Sequence, residues 1–138
     1  MNLYFAYGSN MWVEQMRERC PDHRLLGGAI LLGYRWIISS RGYATILEAP
    51  NAAVEGMLFE VSDTDLSKLD KKEGRSYYRK KVNISWEGKE TPAYTYIDSV
   101  TDEGNPIDEY AERINSGIRD ATLSEPYIEN TIRKYVPR

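Results

Sequence analysis

The chain contains almost none of the residues on which metal binding and covalent catalysis usually depend. Its 138 residues include one cysteine and one histidine, Cys20 and His23. A single cysteine cannot form an internal disulfide, so we expect a reducing compartment and predict a cytoplasmic location. One cysteine and one histidine are too few for an ordinary zinc site, and a Ser-His-Asp triad would have to use His23. The composition therefore predicts that the protein binds no metal.

The chain also lacks a basic excess, a long apolar run and the usual nucleotide-binding motifs. It carries 18 basic and 21 acidic residues, a net charge of −3, so we expect no nucleic-acid partner, which would need a clustered basic face. No apolar run approaches the roughly 18 residues that a membrane-spanning helix needs, so we expect no membrane association. The N-terminus has neither a basic leader nor a small-residue cleavage site, so we expect no secretory leader. There is no Walker-type phosphate loop and no dinucleotide fingerprint. These absences argue against a protein that binds nucleic acid, a membrane or a nucleotide through one of the common motifs.

What is present first is a strand, turn and helix pattern at the N-terminus. The apolar run Leu3–Ala6 stops at the turn Tyr7–Asn10, and a charged amphipathic segment follows as far as Arg19. Gly8 lets such a turn adopt a positive φ or lets a ligand approach the backbone, while Ser9 or Asn10 can cap the helix. Exposed backbone N–H groups in this arrangement suit an anion. A turn with a purely structural polar cap remains the alternative.

Hydrophobic periodicity predicts an α+β protein, with residues 1–138 forming one domain. Helices are expected from Ser62 to Gly74, from Pro106 to Asp120, and from Ser124 to the stop at Pro137. Five or six strands are expected, including a hairpin around Glu87–Lys89. The other predicted strands are Ala29–Ser39, Ala44–Leu47 ending at a Pro50–Asn51 turn, and Val54–Val61 with a bulge at Gly56.

Carboxylate chemistry remains once the other catalytic types are set aside, and Glu73 is the outstanding candidate. It follows a short amphipathic helix and precedes Gly74 in an aromatic region. The C-terminal end of a helix is already negative, so a carboxylate there is electrostatically unfavourable and invites a functional explanation. The alternative is a surface glutamate at a helix end.

Several segments, taken in order, resemble the gamma-glutamylcyclotransferase family. Tyr7–Met11 is followed some sixty residues later by Leu69–Gly74 and a tyrosine, and the resemblance covers nearly the whole chain. It implies a small mixed β-barrel of five to six strands with inserted and C-terminal helices. It also implies that Glu73 is the general acid/base. Further matching segments are Gly42–Ile46, Pro50–Gly56, Trp86–Glu90 and the tail from Tyr110 through Glu129.

The resemblance implies a reaction on a small-molecule gamma-glutamyl substrate. The free α-amine attacks the γ-carbonyl, closes 5-oxoproline and expels the attached amine, and a tethered nucleophile needs neither a metal nor a cofactor. Tyr96 is expected near the Glu73 side chain, and a homodimer is left open. The implied substrate-binding residues are Tyr4, Phe5, Ala6, Tyr7, Gly8, Ser9, Asn10 and Tyr110.

Asn10 favours the branch of the family that acts on gamma-glutamyl-amino acids, since other branches tend to carry leucine after Ser or Thr at this point. Trimming of a gamma-glutamyl group from a biosynthetic intermediate remains an alternative. Two further alternatives are a non-catalytic module that binds a gamma-glutamyl compound or a partner, and a hydrolase using a water activated by Glu73. The leaving-group side of the pocket is expected in the loop Ser99–Asn105.

Overall fold

The computed structural model describes residues 1–138, and its five strands form a closed barrel in the order β1-β3-β2-β4-β5. Neighbouring strands are antiparallel except β1 and β5, which close the barrel in parallel through Tyr4 and Tyr94. The expectation of a small mixed barrel in an α+β fold is confirmed. The strands are β1 (Asn2–Ala6), β2 (Arg24–Ile38), β3 (Ala44–Val61), β4 (Tyr77–Trp86) and β5 (Lys89–Asp98).

Strands β2 and β3 form one long hairpin, which is longer than the sequence predicts. β2 begins at Arg24, and β3 runs through the Pro50–Asn51 segment that was expected to end a strand. The pairing passes from Leu32 with Ala53 to Tyr34 with Glu48, leaving the proline outside the paired register. Because Pro50 faces no partner there, its missing N–H removes no ladder hydrogen bond. The predicted end of the strand was therefore wrong, although the ladder is interrupted there and Asn51 has a φ of 68°.

Gly56 is regularly paired with Ala29, and the two register shifts of this hairpin lie elsewhere, so the predicted bulge at Gly56 was wrong. Its role is a close approach to strand β1. A Cβ at position 56 would lie 2.4 Å from the carbonyl oxygen of Ala6 and 2.9 Å from the ring of Phe5. Only glycine lets β3 pass this close to β1.

The local signals for helix ends and for the second hairpin are confirmed. The Ser62 hydroxyl accepts a hydrogen bond from the Asp65 N–H at 3.1 Å, and Gly74 ends the helix with φ 76°. Strands β4 and β5 meet at Glu87 and Gly88, both with positive φ, as a two-residue hairpin turn requires. The helices are α1 (Val13–Arg19), α2 (Asp63–Glu73), α3 (Asp108–Asp120) and α4 (Glu125–Asn130).

The C-terminal segment departs from the single helix that was expected before Pro137. Helix α4 ends at Asn130, and a short 3₁₀ helix, Ile132–Lys134, follows. Thr131 and Tyr135 keep α-region backbone angles, so the apolar positions Ile132 and Tyr135 still face the barrel core. No helix of the protein is long and apolar enough to cross a membrane.

Strand β1 lies between two hydrophobic cores because its side chains alternate between them. Phe5 and Tyr7 belong to the larger core of 19 buried residues, which includes Trp36. Tyr4 and Ala6 belong to a second core of 11 buried residues, formed with helices α1 and α2. This period-2 alternation fixes the position of the turn that follows β1.

Candidate active site

A cavity of about 280 Å³ opens where strand β1 ends, between α2, α3 and the loop that joins β2 to β3. It brings together residues from the two ends of the chain, including most of those that the sequence singled out. The predicted residues that line it are Tyr4, Tyr7, Gly8, Ser9, Asn10, Glu73 and Tyr110.

Phe5 and Ala6 do not line the cavity, contrary to the prediction. Phe5 is fully buried in the larger core, and Ala6 is 1% exposed in the second core. Both pack close to Gly56, where β1 and β3 approach each other. Tyr4, within β1, and Tyr7, directly after it, do line the cavity.

The turn after β1 is a 3₁₀ turn whose glycine has an unexpected role. Gly8 has φ −124°, so the predicted positive φ was wrong. A Cβ at this position would lie 2.9 Å from the hydroxyl oxygen of Tyr110, so the glycine is needed for a close approach. The turn is closed by the Met11 N–H donating to the Gly8 carbonyl at 3.1 Å, while the Gly8 N–H has no backbone acceptor.

Asn10 organises the polar side of the cavity rather than capping a helix. Its Nδ2 donates to the Tyr4 hydroxyl at 2.9 Å, and its Oδ1 accepts from Gln15 and Arg19, each at 2.9 Å. The same Gln15 amide donates to the Ser9 hydroxyl at 2.9 Å. Neither Ser9 nor Asn10 caps the following helix through its side chain, which corrects the capping prediction.

Glu73 is the last residue of α2, and its partly buried side chain lies on the cavity wall. Burial raises the pKa of its carboxyl to about 7, because a low-dielectric environment disfavours the charged form. Arg19 and Arg41 lower this pKa, and Asp98 raises it. The carboxyl therefore exchanges a proton near neutral pH, which suits an acid/base group.

The cations of the site, above all Arg41, were not predicted from the sequence. Arg41 follows β2, and its Nη1 donates to the Asp98 carboxylate at 2.7 Å. Its guanidinium lies 5.2 Å from the ring centroid of Tyr43 and 5.7 Å from that of Tyr77. A signal existed, since an arginine directly before Gly42 lies in a tight aromatic turn. Tyr96, which was expected near Glu73, lines the cavity together with Tyr77. The lining residues that were not foreseen are Arg19, Arg41, Tyr43, Ala44, Lys72 and Arg113.

Several tyrosines also line the cavity. Burial raises the pKa of Tyr110 to about 12, against hydrogen bonds from Ser9 and Ala44, so its hydroxyl keeps its proton at neutral pH. The Tyr77 hydroxyl donates to the Ala44 carbonyl at 2.5 Å. Tyr96 lines the same cavity as Glu73, but its hydroxyl donates to Asp70 at 2.7 Å.

The loop Ser99–Asn105 does not line the cavity, contrary to expectation. The Gly104 N–H donates to the Ile38 carbonyl at 2.8 Å, and the Ser40 N–H donates to the Asp102 carbonyl at 2.7 Å. This loop therefore covers the end of β2. The cavity instead adjoins a second cavity of about 510 Å³, and the residues common to both are Arg19, Lys72 and Arg113.

The closed barrel thus carries, where β1 ends, a cavity lined by arginines and by a glutamate of raised pKa, an arrangement that suits an enzyme performing acid–base chemistry. Residues 4–114 match the family described as gamma-glutamyl cyclotransferase, AIG2-like. The chain belongs to this family, and it is an enzyme. This confirms the resemblance inferred from the sequence.

Individual relatives agree with this assignment. The chain is 30% identical to the gamma-glutamylcyclotransferase of Mus musculus, over 92% of this chain and 75% of the mouse protein. It is also 30% identical to the Bos taurus gamma-glutamylcyclotransferase, over 91% of this chain and 74% of that protein. A solved structure named gamma-glutamyl cyclotransferase is similar with a TM-score of 0.85 and 26% identity, covering 94% of this chain and 85% of the other.

Proposed function

We propose that this protein is a gamma-glutamylcyclotransferase that converts a gamma-glutamyl-amino acid into 5-oxoproline and the free amino acid. The observation that carries the proposal is Glu73, whose carboxyl has a pKa of about 7 in the same cavity as the Tyr7–Asn10 turn. The names of the relatives support the reaction type. The residues assigned to the substrate are Tyr4, Tyr7, Gly8, Ser9, Asn10 and Tyr110.

In the proposed mechanism Glu73 carries protons from the attacking nitrogen to the leaving nitrogen. Its carboxylate takes a proton from the substrate α-ammonium, and the resulting amine attacks the γ-carbonyl carbon to form the ring C–N bond. The carboxylic acid then gives this proton to the leaving nitrogen as the original amide C–N bond breaks. The regenerated carboxylate accepts the second proton of the ring nitrogen, which passes to the departing amine as it becomes an ammonium ion. A pKa near neutrality lets the same group act as base and then as acid. The tethered amine supplies much of the acceleration through proximity.

Charge supports an anionic substrate. Arg19 and Arg41 line the cavity, and a gamma-glutamyl compound carries a free α-carboxylate that such cations and the Gly8 N–H can bind. The protonated Tyr110 hydroxyl lies beside Gly8, where it can donate to a developing oxyanion.

The opening toward the second cavity supports an amino acid as the leaving group. All three residues that the two cavities share are cations, namely Arg19, Lys72 and Arg113. Arg113 forms an ion pair with Glu109, whereas Lys72 makes no ion pair. A carboxylate on the departing amine would therefore meet positive charge at this opening.

The deciding experiment is incubation of the protein with gamma-glutamyl-alanine and chromatographic analysis of the products. Formation of 5-oxoproline and alanine is expected. Glutamate and alanine would indicate a hydrolase, and no turnover with measurable binding would indicate a non-catalytic module. A gamma-glutamyl amide of an amine without a carboxylate tests the alternative of a biosynthetic intermediate, and it should react more slowly.

A substrate analogue with a blocked α-amine provides a second test that distinguishes cyclisation from hydrolysis. N-acetylation of the α-amine of gamma-glutamyl-alanine removes the nucleophile but leaves the γ-amide intact. The acetylated compound should give no product, whereas a hydrolase would still cleave it.

We propose that residues 1–138 act as one unit, and the cytoplasmic location and the homodimer remain predictions from the sequence.

A further inference from the structure

Asp98, at the end of β5, is a buried carboxylate for which the proposed mechanism has no role. The residue is 1% exposed, and its carboxylate accepts hydrogen bonds from Arg41 at 2.7 Å, from the Val100 N–H at 2.9 Å and from the Ser76 hydroxyl. Its own N–H donates to the Thr45 hydroxyl at 2.9 Å. Burying a charge is costly in free energy unless it is paired and hydrogen-bonded. The carboxylate of Asp98 therefore depends on these partners being held in place.

Two partners of Asp98, Arg41 and Ser76, belong to the surroundings of Glu73. Arg41 lines the cavity that contains Glu73, and the aromatic rings beside its guanidinium restrict its movement. Ser76 lies three residues after Glu73, beyond the glycine that ends α2, and its carbonyl also accepts from the Ser99 N–H at 2.9 Å. Asp98 thus connects the cation of the site with the turn that follows the glutamate.

We propose that Asp98 is a positioning residue of the active site, which holds the Arg41 guanidinium in the cavity and, through Ser76, fixes the turn after Glu73. This inference rests on the proposed acid/base role of Glu73. Asp98 itself does not line the cavity, so it acts on the reaction through its partners.

The two members of this ion pair also shift the pKa of the Glu73 carboxyl in opposite directions. Arg41 lowers the pKa of the Glu73 carboxyl, whereas Asp98 raises it, so the two charges partly cancel. Neutralising Asp98 should therefore lower the pKa of Glu73, and neutralising Arg41 should raise it. The other titratable groups that line the cavity with Glu73 are Arg19, Lys72, Arg113, Tyr4, Tyr7, Tyr43, Tyr77, Tyr96 and Tyr110.

The experiment compares the pH dependence of kcat/KM for 5-oxoproline formation in wild type, Asp98→Asn, Arg41→Gln and the double variant. Asparagine keeps the shape of Asp98 but has one acceptor oxygen in place of two, so it cannot accept both from Arg41 and from Ser76 and the Val100 N–H. We expect the acid limb to move to lower pH in Asp98→Asn and to higher pH in Arg41→Gln, each by about 1 unit. The acid limb of the double variant should lie at nearly the same pH as that of the wild type. Misplacement of Arg41 and of the turn should lower kcat of Asp98→Asn by roughly 10–100-fold.

Glu103→Gln is the matched control, because Glu103 is a carboxylate that pairs with Arg35 at 3.8 Å outside the cavity. Its pH profile should be unchanged. A purely structural Asp98 would lower activity without moving the acid limb, and that result, or limbs that move in the same direction, would overturn the proposal. If the wild type formed no 5-oxoproline, the proposed function itself would fail.

A second pair of variants covers the case in which Asp98→Asn does not fold. Arg41→Lys keeps the positive charge but loses the forked guanidinium, whereas Arg41→Gln loses the charge as well. The acid limb should rise only in Arg41→Gln, and both variants should lose kcat. If the acid limb of the pH profile lay at the same pH in both variants, this would contradict the claim that the charge of Arg41 lowers the pKa of Glu73.

Discussion

The chemistry of this protein centres on one side chain, Glu73, and on the environment that changes its acidity. Its carboxyl is partly buried, and this burial raises its pKa to about 7, so it holds its proton up to about that pH. Glu73→Gln keeps the shape but cannot transfer a proton, and kcat should fall by roughly 10²–10⁴-fold. Steady-state assays of 5-oxoproline formation test this. Lys71→Gln, an exposed neighbour outside the cavity, should retain activity, and near-native turnover of Glu73→Gln would remove Glu73 from the mechanism.

The same raised pKa has a consequence for stability. In the unfolded chain Glu73 ionises near its ordinary value of 4.5, but in the folded protein it ionises only near 7. Its burial therefore costs nothing below pH 4.5, the cost grows between pH 4.5 and 7, and it is complete above pH 7. Glu73→Gln should be more stable than wild type at pH 8 by on the order of 1–3 kcal/mol. Urea unfolding at pH 4.5 and pH 8 checks this, and an equal difference at both values would contradict it.

Gly8 is a second residue whose substitution should change the site, because a single added Cβ would contact Tyr110. A Cβ there would lie 2.9 Å from the Tyr110 hydroxyl oxygen and 3.4 Å from the Ala44 Cβ. Gly8→Ala should therefore displace Tyr110 and weaken the binding of 5-oxoproline by about 10-fold or more, an effect of about 1.4 kcal/mol. Calorimetry on the folded variant measures this. Tyr110→Phe removes the clashing oxygen, so adding it to Gly8→Ala should relieve the strain, and unchanged affinity in Gly8→Ala would show that the turn is only structural.

At the scale of secondary structure, the pairing of β1 with β3 determines where the site lies. A Cβ at Gly56 would lie 2.4 Å from the Ala6 carbonyl oxygen, so Gly56→Ala must push β1 away from β3. We expect a loss of stability of about 1–3 kcal/mol, typical of overpacking, together with lower activity because β1 carries the Tyr7–Asn10 turn. Denaturant unfolding and the cyclisation assay test both effects. Glu48→Ala, at an exposed position of the same strand, should change stability by less than about 0.5 kcal/mol.

At the scale of the whole molecule, activity should depend on pH and not on metals. No group of three or more His, Cys, Asp or Glu side chains is arranged to hold a metal ion, and the proposed nucleophile belongs to the substrate. Turnover should therefore survive EDTA followed by dialysis. It should rise with pH around 7 as Glu73 loses its proton. Loss of activity with a chelator and recovery with a divalent ion would contradict this, and so would an acid limb that persists in Glu73→Gln.

The sequence alone predicted the ends of helix α2, the β4–β5 turn and the candidate glutamate. The Ser62 cap and Gly74 defined helix α2, and Glu87–Gly88 defined the β4–β5 hairpin. Each of these signals acts within a few residues, through a hydrogen bond to a nearby N–H or through a backbone angle that favours glycine. The same local reasoning singled out Glu73, because a carboxylate at a helix end is unfavourable wherever the helix packs.

Only the tertiary structure decided which distant groups meet. The sequence placed Phe5 and Ala6 in the pocket, whereas the packing of β1 against Gly56 buries both in the cores. It also contained no sign that Asp98 pairs with Arg41, which lies 57 positions away. Such contacts depend on barrel closure and strand register, which are set by the packing of both cores at once. A period-2 pattern tells which residues of a strand share a face, but not which strand lies opposite.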